Sequence, residues 1–193
     1  CTLGGTVRVV SGVVVVNGNL AVADGATLQI ESGGQLRWTA GDFTVGSNAQ
    51  VVNLGVLEWA NRTGYYDLFR GRLVNRGVWR KTTNEWVELE NATLVNEAGG
   101  VLELAAGVLY RNAGSAVLQN EGLVKKVSST SVSLSAMTIA GSGRVQVVEG
   151  TLQLENCTLS GASVQVEQGT FSWSLCTLGG TVRVVSGGVV VNG

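Results

Sequence analysis

Residues 92–104 read ATLVNEAGGVLEL, and this stretch decides the fold. Two short runs with alternating apolar residues flank a turn that contains Gly99 and Gly100. Period-two alternation is typical of half-buried β-strands, and tight turns that contain glycine commonly join such strands. A unit this short cannot bury its own apolar face, so we expect similar units to stack above and below it.

Units with the same frame occur along most of the chain. They read ATLQIESGGQLRW (residues 26–38), VVNLGVLEW (residues 51–59), LVNRGVWRK (residues 73–81) and VLQNEGLVKK (residues 117–126). The corresponding apolar positions are Leu3, Leu28, Val51, Leu73, Leu94, Leu118, Ile139, Leu159 and Leu178. The spacing of these positions predicts coils of about 22 residues, a period typical of a solenoid.

A much longer repeat encloses the short one. Residues 1–18 read CTLGGTVRVVSGVVVVNG, and residues 176–193 read CTLGGTVRVVSGGVVVNG, so that Gly188 in place of Val13 is the single difference. We interpret residues 1–175 as one super-repeat of about eight coils and residues 176–193 as the beginning of the next tandem copy. Because the sequence begins at Cys1 without an initiating Met, we expect it to be an internal fragment.

The predicted fold class is therefore all-β, a right-handed parallel β-solenoid (β-helix). Successive coils would pair in parallel at about 4.8 Å, and parallel crossover connections are almost always right-handed. An antiparallel β-sandwich is the alternative, but a sandwich does not require a common register across eight units.

Three columns of residues follow each turn glycine in this frame. The second residue should point inward in every coil: Leu36, Leu57, Trp79, Leu102, Val124, Val145 and Phe171. The fourth residue is of mixed character and should point inward only in some coils: Trp38, Trp59, Lys81, Leu104, Lys126, Val147 and Trp173. The third residue should face solvent with alternating charge, which favours one register: Arg37, Glu58, Arg80, Glu103, Lys125 and Gln146.

Four asparagines occupy one turn position in successive units: Asn53, Asn75, Asn96 and Asn120. Asparagine tolerates left-handed backbone in turns, and stacked amides can hydrogen-bond to one another as in cross-β ladders. We therefore predict a structural turn ladder here, and a polar binding row is the functional alternative.

The cysteines obey the same frame. Cys157 and Cys176 begin equivalent motifs on adjacent coils, which places their Cα atoms about 5 Å apart, inside the range of disulfides. They are a disulfide candidate, or else a pair of buried thiols, and Cys1 would pair with the preceding repeat. Two cysteines in a chain without histidine offer too few ligands for zinc.

Residues 61–69, NRTGYYDLF, depart from the frame. Arg62, Tyr65, Tyr66 and Phe69 form a possible contact loop, because aromatic residues beside arginine suit contacts with sugars or proteins. Alternatively, these aromatic side chains fold back over the core.

The composition disfavours most other functions. Histidine is absent and the net charge is −1, so we expect no enzyme, no cofactor and no nucleic-acid partner. No apolar run is long enough to predict a membrane span. A polysaccharide-active β-helix enzyme would need paired carboxylates, for which Glu97 and Glu121 are the candidates. Ice binding would need a regular Thr face, yet the column Thr27, Thr93, Thr138, Thr158 and Thr177 is interrupted by Gln50, Arg72 and Val117.

Units such as LVNEAGGVLEL (residues 94–104) and VVEGTLQLEN (residues 147–156) resemble the β-helical repeat regions of large bacterial surface proteins, namely filamentous-haemagglutinin-type adhesins and autotransporter passengers. The resemblance implies an extracellular or cell-surface location and a structural stalk, or an adhesin region that binds a glycan or another surface. Its expected partners are further copies of itself, end to end, with a glycan or protein as a further possibility.

Overall fold

The computed structural model describes residues 1–60 and 67–192, and these residues form strands and turns without any helix. The strands are β1 (Thr2–Leu3), β2 (Thr6–Asn17), β3 (Leu20–Val22), β4 (Thr27–Ala40), β5 (Phe43–Val45), β6 (Gln50–Asn53), β7 (Val56–Trp59), β8 (Asp67–Phe69), β9 (Arg72–Asn75), β10 (Val78–Lys81), β11 (Trp86–Asn96), β12 (Val101–Leu104), β13 (Gly107–Asn120), β14 (Leu123–Ser135), β15 (Thr138–Ala140), β16 (Arg144–Glu155), β17 (Thr158–Val166), β18 (Thr170–Ser174), β19 (Thr177–Val184) and β20 (Gly188–Asn192).

Each strand pairs in parallel with the strand one coil further along the chain. Leu28 lies beside Val51, Val51 beside Leu73, and Leu73 beside Leu94, as the marker spacing predicts. The predicted parallel β-solenoid is confirmed, with about nine turns in the chain. Because the pairings among the described residues are parallel throughout, the antiparallel sandwich is wrong.

The pairings arrange the strands in three rows, and each coil contributes one strand to each row. The first row contains residues 2–3, 20–22, 43–45, 67–69, 87–89, 108–111, 132–135, 151–155, 170–174 and 188–192. The second row contains residues 6–9, 27–30, 50–53, 72–75, 93–96, 117–120, 138–140, 158–160 and 177–179. The third row contains residues 13–16, 35–38, 56–59, 78–81, 101–104, 123–126, 144–147, 163–166 and 181–184. Long strands such as β4 bend across two rows.

The core lies between the three rows and is filled by alternate side chains of each strand. The predicted inward column is buried from Leu36 to Val145, and it continues through Val164. Phe171, which the sequence frame assigns to this column, instead lies in the first row beside Leu152. The frame fails there because the turn before Phe171 joins the third row to the first, not the second row to the third.

Aromatic residues fill the interior near the N-terminal half. The rings of Trp38 and Trp59 lie 6.0 Å apart, and those of Trp59 and Trp79 lie 5.3 Å apart. Phe43 packs against Trp38 at 5.7 Å and Trp59 at 5.2 Å. Tilted and edge-on contacts of this kind add to the free energy gained by burying the rings.

Candidate functional site

The four asparagines form one continuous amide ladder inside the second row. The Nδ2 atom of Asn53 donates to Oδ1 of Asn75 at 2.7 Å, Asn75 donates to Asn96 at 2.8 Å, and Asn96 donates to Asn120 at 2.8 Å. All four side chains are buried, and each Nδ2 also donates to a backbone carbonyl of the following coil, for example Asn75 to Val101 at 3.0 Å. The amides lie at the end of the strand and point inward, and none of these residues has positive φ.

At some of the turns that follow the second row, glycine leaves room for these amides. A Cβ atom on Gly100 would lie 2.7 Å from Oδ1 of Asn96, and one on Gly143 would lie 2.6 Å from Nδ2 of Asn120. Real Cβ atoms do not approach other atoms so closely, so glycine makes the space that the amides occupy. A Cβ atom on Gly55 or Gly77 would instead meet backbone atoms of a neighbouring coil, so glycine at those turns permits close packing of the backbones.

Two lysines point into the core, where the sequence predicts a mixed column. Lys81 and Lys126 are both fully buried. The Nζ atom of Lys81 donates to the carbonyl oxygens of Thr83 at 2.7 Å, Glu85 at 2.6 Å and Ala106 at 3.0 Å. Burial lowers the pKa of Lys81 to about 8. The ammonium group thus takes the place of an apolar side chain and satisfies carbonyl groups of an irregular corner.

The second lysine repeats this arrangement two coils later. The Nζ atom of Lys126 donates to the carbonyl and hydroxyl oxygens of Ser128 and to the carbonyl of Glu149. Burial lowers its pKa as well. Between the two lysines lies Leu104, which is in register with both, so the two like charges are not adjacent in the column.

A buried carboxyl group accompanies Lys81. Asp67 points inward from β8, and burial raises its pKa to about 8 although the charge of Lys81 opposes that shift. One carboxyl oxygen accepts the backbone N–H of Phe43 at 3.4 Å, and the other is buried without a hydrogen-bond partner among the described residues. The sequence offers no signal for this placement, because Asp67 belongs to the stretch that departs from the repeat frame.

The structure has all three cysteines as free thiols, and the Cys157–Cys176 disulfide stays a prediction. Cys157 and Cys176 do stack on adjacent coils, where the N–H of Cys157 donates to Sγ of Cys176 at 3.2 Å. In-register neighbours of a parallel sheet have parallel Cα–Cβ bonds, so their Cβ atoms stay about 4.8 Å apart, beyond the usual 3.5–4.5 Å of a disulfide. Instead, the Cys157 thiol donates to the carbonyl of Leu134 at 3.2 Å, and burial raises its pKa to about 11.

The solvent-facing charge column has the register that the sequence predicts. Arg37, Glu58, Arg80, Glu103, Lys125 and Gln146 are successive neighbours in the third row. Arg80 donates to Glu103 at 2.7 Å, and Arg37 lies 3.3 Å from Glu58. Exposed pairs of this kind stabilise a protein by at most about 1 kcal/mol each, so their main effect is to disfavour other registers.

One of the four residues of the predicted contact loop does not lie at the surface. Phe69 is buried in β8, in register with Val45 and Leu89, and therefore belongs to the core and not to a surface loop. Arg62, Tyr65 and Tyr66 lie outside the described residues, so their contact role stays a prediction. Phe69 points inward because it occupies an alternate position of a first-row strand.

An aromatic groove that the sequence frame does not predict lies on the outside of the first row. It has a volume of about 290 Å³ and is lined by Trp86, Val108, Tyr110, Ser133, Ser135 and Glu155. Trp86 is 60% exposed and meets the Tyr110 ring edge-on at 5.5 Å. The Tyr110 hydroxyl donates to Glu88, and the Ser133 hydroxyl is buried without a partner among the described residues. An exposed aromatic platform beside hydroxyl and carboxylate groups can bind a ligand that has both an apolar face and hydroxyls.

The two candidate carboxylates of an enzyme have separate partners. Glu97 accepts from Arg76 at 2.6 Å, and Glu121 accepts from the Ser142 hydroxyl at 2.6 Å. These hydrogen bonds lower the pKa of both groups. A general acid in glycoside hydrolysis needs a raised pKa, so both shifts run in the opposite direction.

The threonine column of the ice-binding alternative is present but interrupted, because Thr27 is followed in register by Gln50 and Arg72 before Thr93.

The two nearly identical segments lie in different rows. Thr6–Val9 belongs to the second row beside Thr27–Ile30, whereas its copy, residues 181–184, belongs to the third row beside residues 163–166. Leu3 accordingly lies beside Val22 in the first row, and its assignment to the marker column of Leu28 is wrong. Within each segment, however, the order of strands and corners is the same.

Comparison with known proteins identifies no relative. No protein-family profile, no curated protein and no solved structure matches this chain. Among the described residues, no helix could span a membrane, and no group of three or more His, Cys, Asp or Glu side chains could hold a metal ion. The fold therefore defines the class of this protein, a parallel β-solenoid.

Proposed function

We propose that this chain is a structural, non-catalytic segment of an extracellular fibre or cell-surface stalk built from tandem β-solenoid repeats. The observation that carries the proposal is the presence of two 18-residue segments, identical except at Val13 and Gly188, in the first and the last coil. Because the two copies follow the same path through their strands and corners, a following copy can continue the stack without a break in register.

In an end-to-end stack, the core-facing side chains of the first and last coils would meet those of the neighbouring copies. Core-facing valines of the last coil are partly exposed, at 38% for Val182, 47% for Val184 and 37% for Val189. An open hollow of about 200 Å³ at the other end is lined by residues that include Leu3, Val7 and Val14. In the proposed stack, the adjoining coil of the next copy would cover these side chains.

Electron microscopy of the purified chain, in negative stain, tests the proposal. We expect thin rods that lengthen with protein concentration as chains stack end to end. Val189→Lys places a charge on the core-facing edge and should abolish lengthening, whereas Val190→Lys, at the adjacent outward-facing residue, should not. Compact particles of uniform size at every concentration would overturn the proposal.

A second candidate function, an adhesin region, is favoured by the groove that contains Trp86. The exposed indole can stack on the apolar face of a pyranose ring, while Ser135 and Glu155 can bond to its hydroxyls. Isothermal titration calorimetry of the chain with members of an oligosaccharide library should give saturable binding that Trp86→Ala abolishes. Arg37→Ala, on the outside of the third row, is the control that should leave binding intact. Absence of saturable binding to any member of the library, or binding that survives Trp86→Ala, would contradict this role.

A further inference from the structure

The displacement of the repeated segment by one row has a geometric consequence for any tandem array. This inference rests on the proposed function, because it concerns how one copy joins the next. In the first copy, Thr2–Leu3 lies in the first row, the strand at residues 6–9 in the second, and the strand at residues 13–16 in the third. In the second copy, the equivalent strands at residues 177–179, 181–184 and 188–192 lie in the second, third and first rows.

The strand count of the super-repeat explains this displacement. From Thr2 to Thr177 the described residues advance by twenty-five strand positions in the three rows, which is eight full coils and one additional strand. Eight coils alone would have returned the segment to the same row. The prediction of eight coils in the super-repeat is therefore refined to eight and one third.

The same side chains face the core in both copies, so the displacement is not a local misfit. Val7 and Val9 lie beside Leu28 and Ile30 of the core, and their equivalents, Val182 and Val184, lie beside core residues Val164 and Val166. A slip of one residue would have turned these valines to solvent. A shift by a whole strand preserves the alternation, and this is why the fold accommodates it.

We infer that each successive copy in the array is turned by one row, about one third of a revolution around the solenoid axis, so that three copies restore the original orientation. The next copy would begin its equivalent of Leu20–Val22 in the second row, directly above residues 177–179. Each outside feature, including the Trp86 groove and the charge column, would then face three directions in turn along the fibre.

The turned arrangement would repeat at the joint an ion pair that is present inside the chain. Arg8 forms an ion pair with Glu31, which lies in the following coil. Arg183 is the equivalent of Arg8, and in the turned arrangement the coil above it would present the equivalent of Glu31 from the next copy. The unturned arrangement instead places Arg183 beneath a different strand and does not reproduce this pair.

Cryo-electron microscopy of a chain that carries three tandem copies of residues 1–175 tests the inference. We expect a continuous rod with a rise of about 40 Å per copy, from coils spaced at about 4.8 Å, and a rotation of about one third of a turn. A continuous rod in which successive copies have the same orientation would overturn this inference while supporting the proposed function. Failure to form a continuous rod would overturn both.

Spin-label distances in the 193-residue chain provide a second test. In variants whose native cysteines are replaced by serine, labels would be placed at Arg183 and at either Arg37 or Gln29, which lie in one coil but in different rows. The inferred register places Arg37 in the same row as Arg183, seven coils away, so the 37–183 pair should give about 34 Å at 4.8 Å per coil. The 29–183 distance should be longer. The reverse order would place Arg183 in the second row and overturn the inference.

Discussion

The middle coils, residues 51–126, and the C-terminal coils, residues 132–192, have the same backbone ladders but different interiors. The middle coils enclose the asparagine ladder, Lys81 and Lys126, whereas the C-terminal coils enclose mainly Val, Leu and Ile. Near their boundary lies a purely apolar cavity of about 10 Å³, bordered by side chains such as Leu134, Val145 and Phe171. A cavity lined only by apolar side chains offers no hydrogen-bond partner to an ordered water.

The difference shows which polar groups a parallel solenoid can place in its interior. An amide has both donors and acceptors, so identical amides can stack in adjacent coils and satisfy one another along the axis. An ammonium group has donors alone, and two of them in adjacent coils would repel. Lys81 and Lys126 are accordingly separated by Leu104, and each bonds to backbone carbonyls instead.

The largest expected effect comes from removing a buried lysine. Lys126→Met leaves carbonyl groups of Ser128 and Glu149 without their donor, and we expect a loss of about 3 kcal/mol in the free energy of unfolding. Lys125→Met, at the adjacent outward-facing residue, should change it by less than about 0.5 kcal/mol. Urea denaturation of the two variants measures this difference, and equal effects would contradict the buried role of Lys126.

The asparagine ladder should be weaker at its end than in its middle. Asn75→Ala leaves Oδ1 of Asn96 without a donor and should lower the free energy of unfolding by about 2 kcal/mol. Asn53→Ala should cost about 1 kcal/mol less, because Oδ1 of Asn53 is already without a partner among the described residues. Thermal or urea unfolding of both variants compares the positions. A larger loss for Asn53→Ala would show that the ladder does not act as a chain of mutual bonds.

Asp67 and Lys81 should make the free energy of unfolding depend on pH in an unusual way. The pKa of Asp67 is raised from 3.8 to about 8, so between those values the folded state holds a proton that the unfolded chain releases, and stability falls as pH rises. The pKa of Lys81 is lowered from 10.5 to about 8, so above pH 8 the unfolded chain holds the additional proton and stability rises again.

The Asp67→Asn variant isolates the contribution of Asp67 to the change of stability with pH. The stability of the wild type relative to the variant should fall between pH 4 and pH 8 and stay level above pH 8, as measured by urea denaturation across that range. A difference that does not change with pH would mean that the Asp67 carboxyl has the same pKa in the folded and unfolded chains.

The smallest expected effect concerns the cysteines at the C-terminal end. Cys1 is exposed and should react rapidly with iodoacetamide, whereas Cys157 is buried with a raised pKa and should react only after unfolding. Peptide mass spectrometry at increasing times measures the two rates. Detection of a Cys157–Cys176 disulfide in the native protein, or equally rapid labelling of Cys1 and Cys157, would contradict the thiol state described above.

Much of the fold could be predicted because a solenoid repeats one local pattern. The register of Val51, Leu73 and Leu94 follows from spacing, since a strand that slipped by one residue would expose its apolar side chains. The charge column follows for the same reason. The direction of Lys81 and Lys126 could not be predicted, because it depends on carbonyl groups such as that of Ala106 in the next coil, which a single unit does not contain.

The sequence by itself therefore determined the period, the parallel stacking and which faces of most strands point inward, because alternation and repetition are local properties. The tertiary structure alone decided which row each strand occupies. A corner between rows has no distinctive residue pattern. Leu3 and Leu178 therefore occupy the same position of the repeated segment and still lie in different rows. The strand count between them, accumulated over the whole super-repeat, is what places them there.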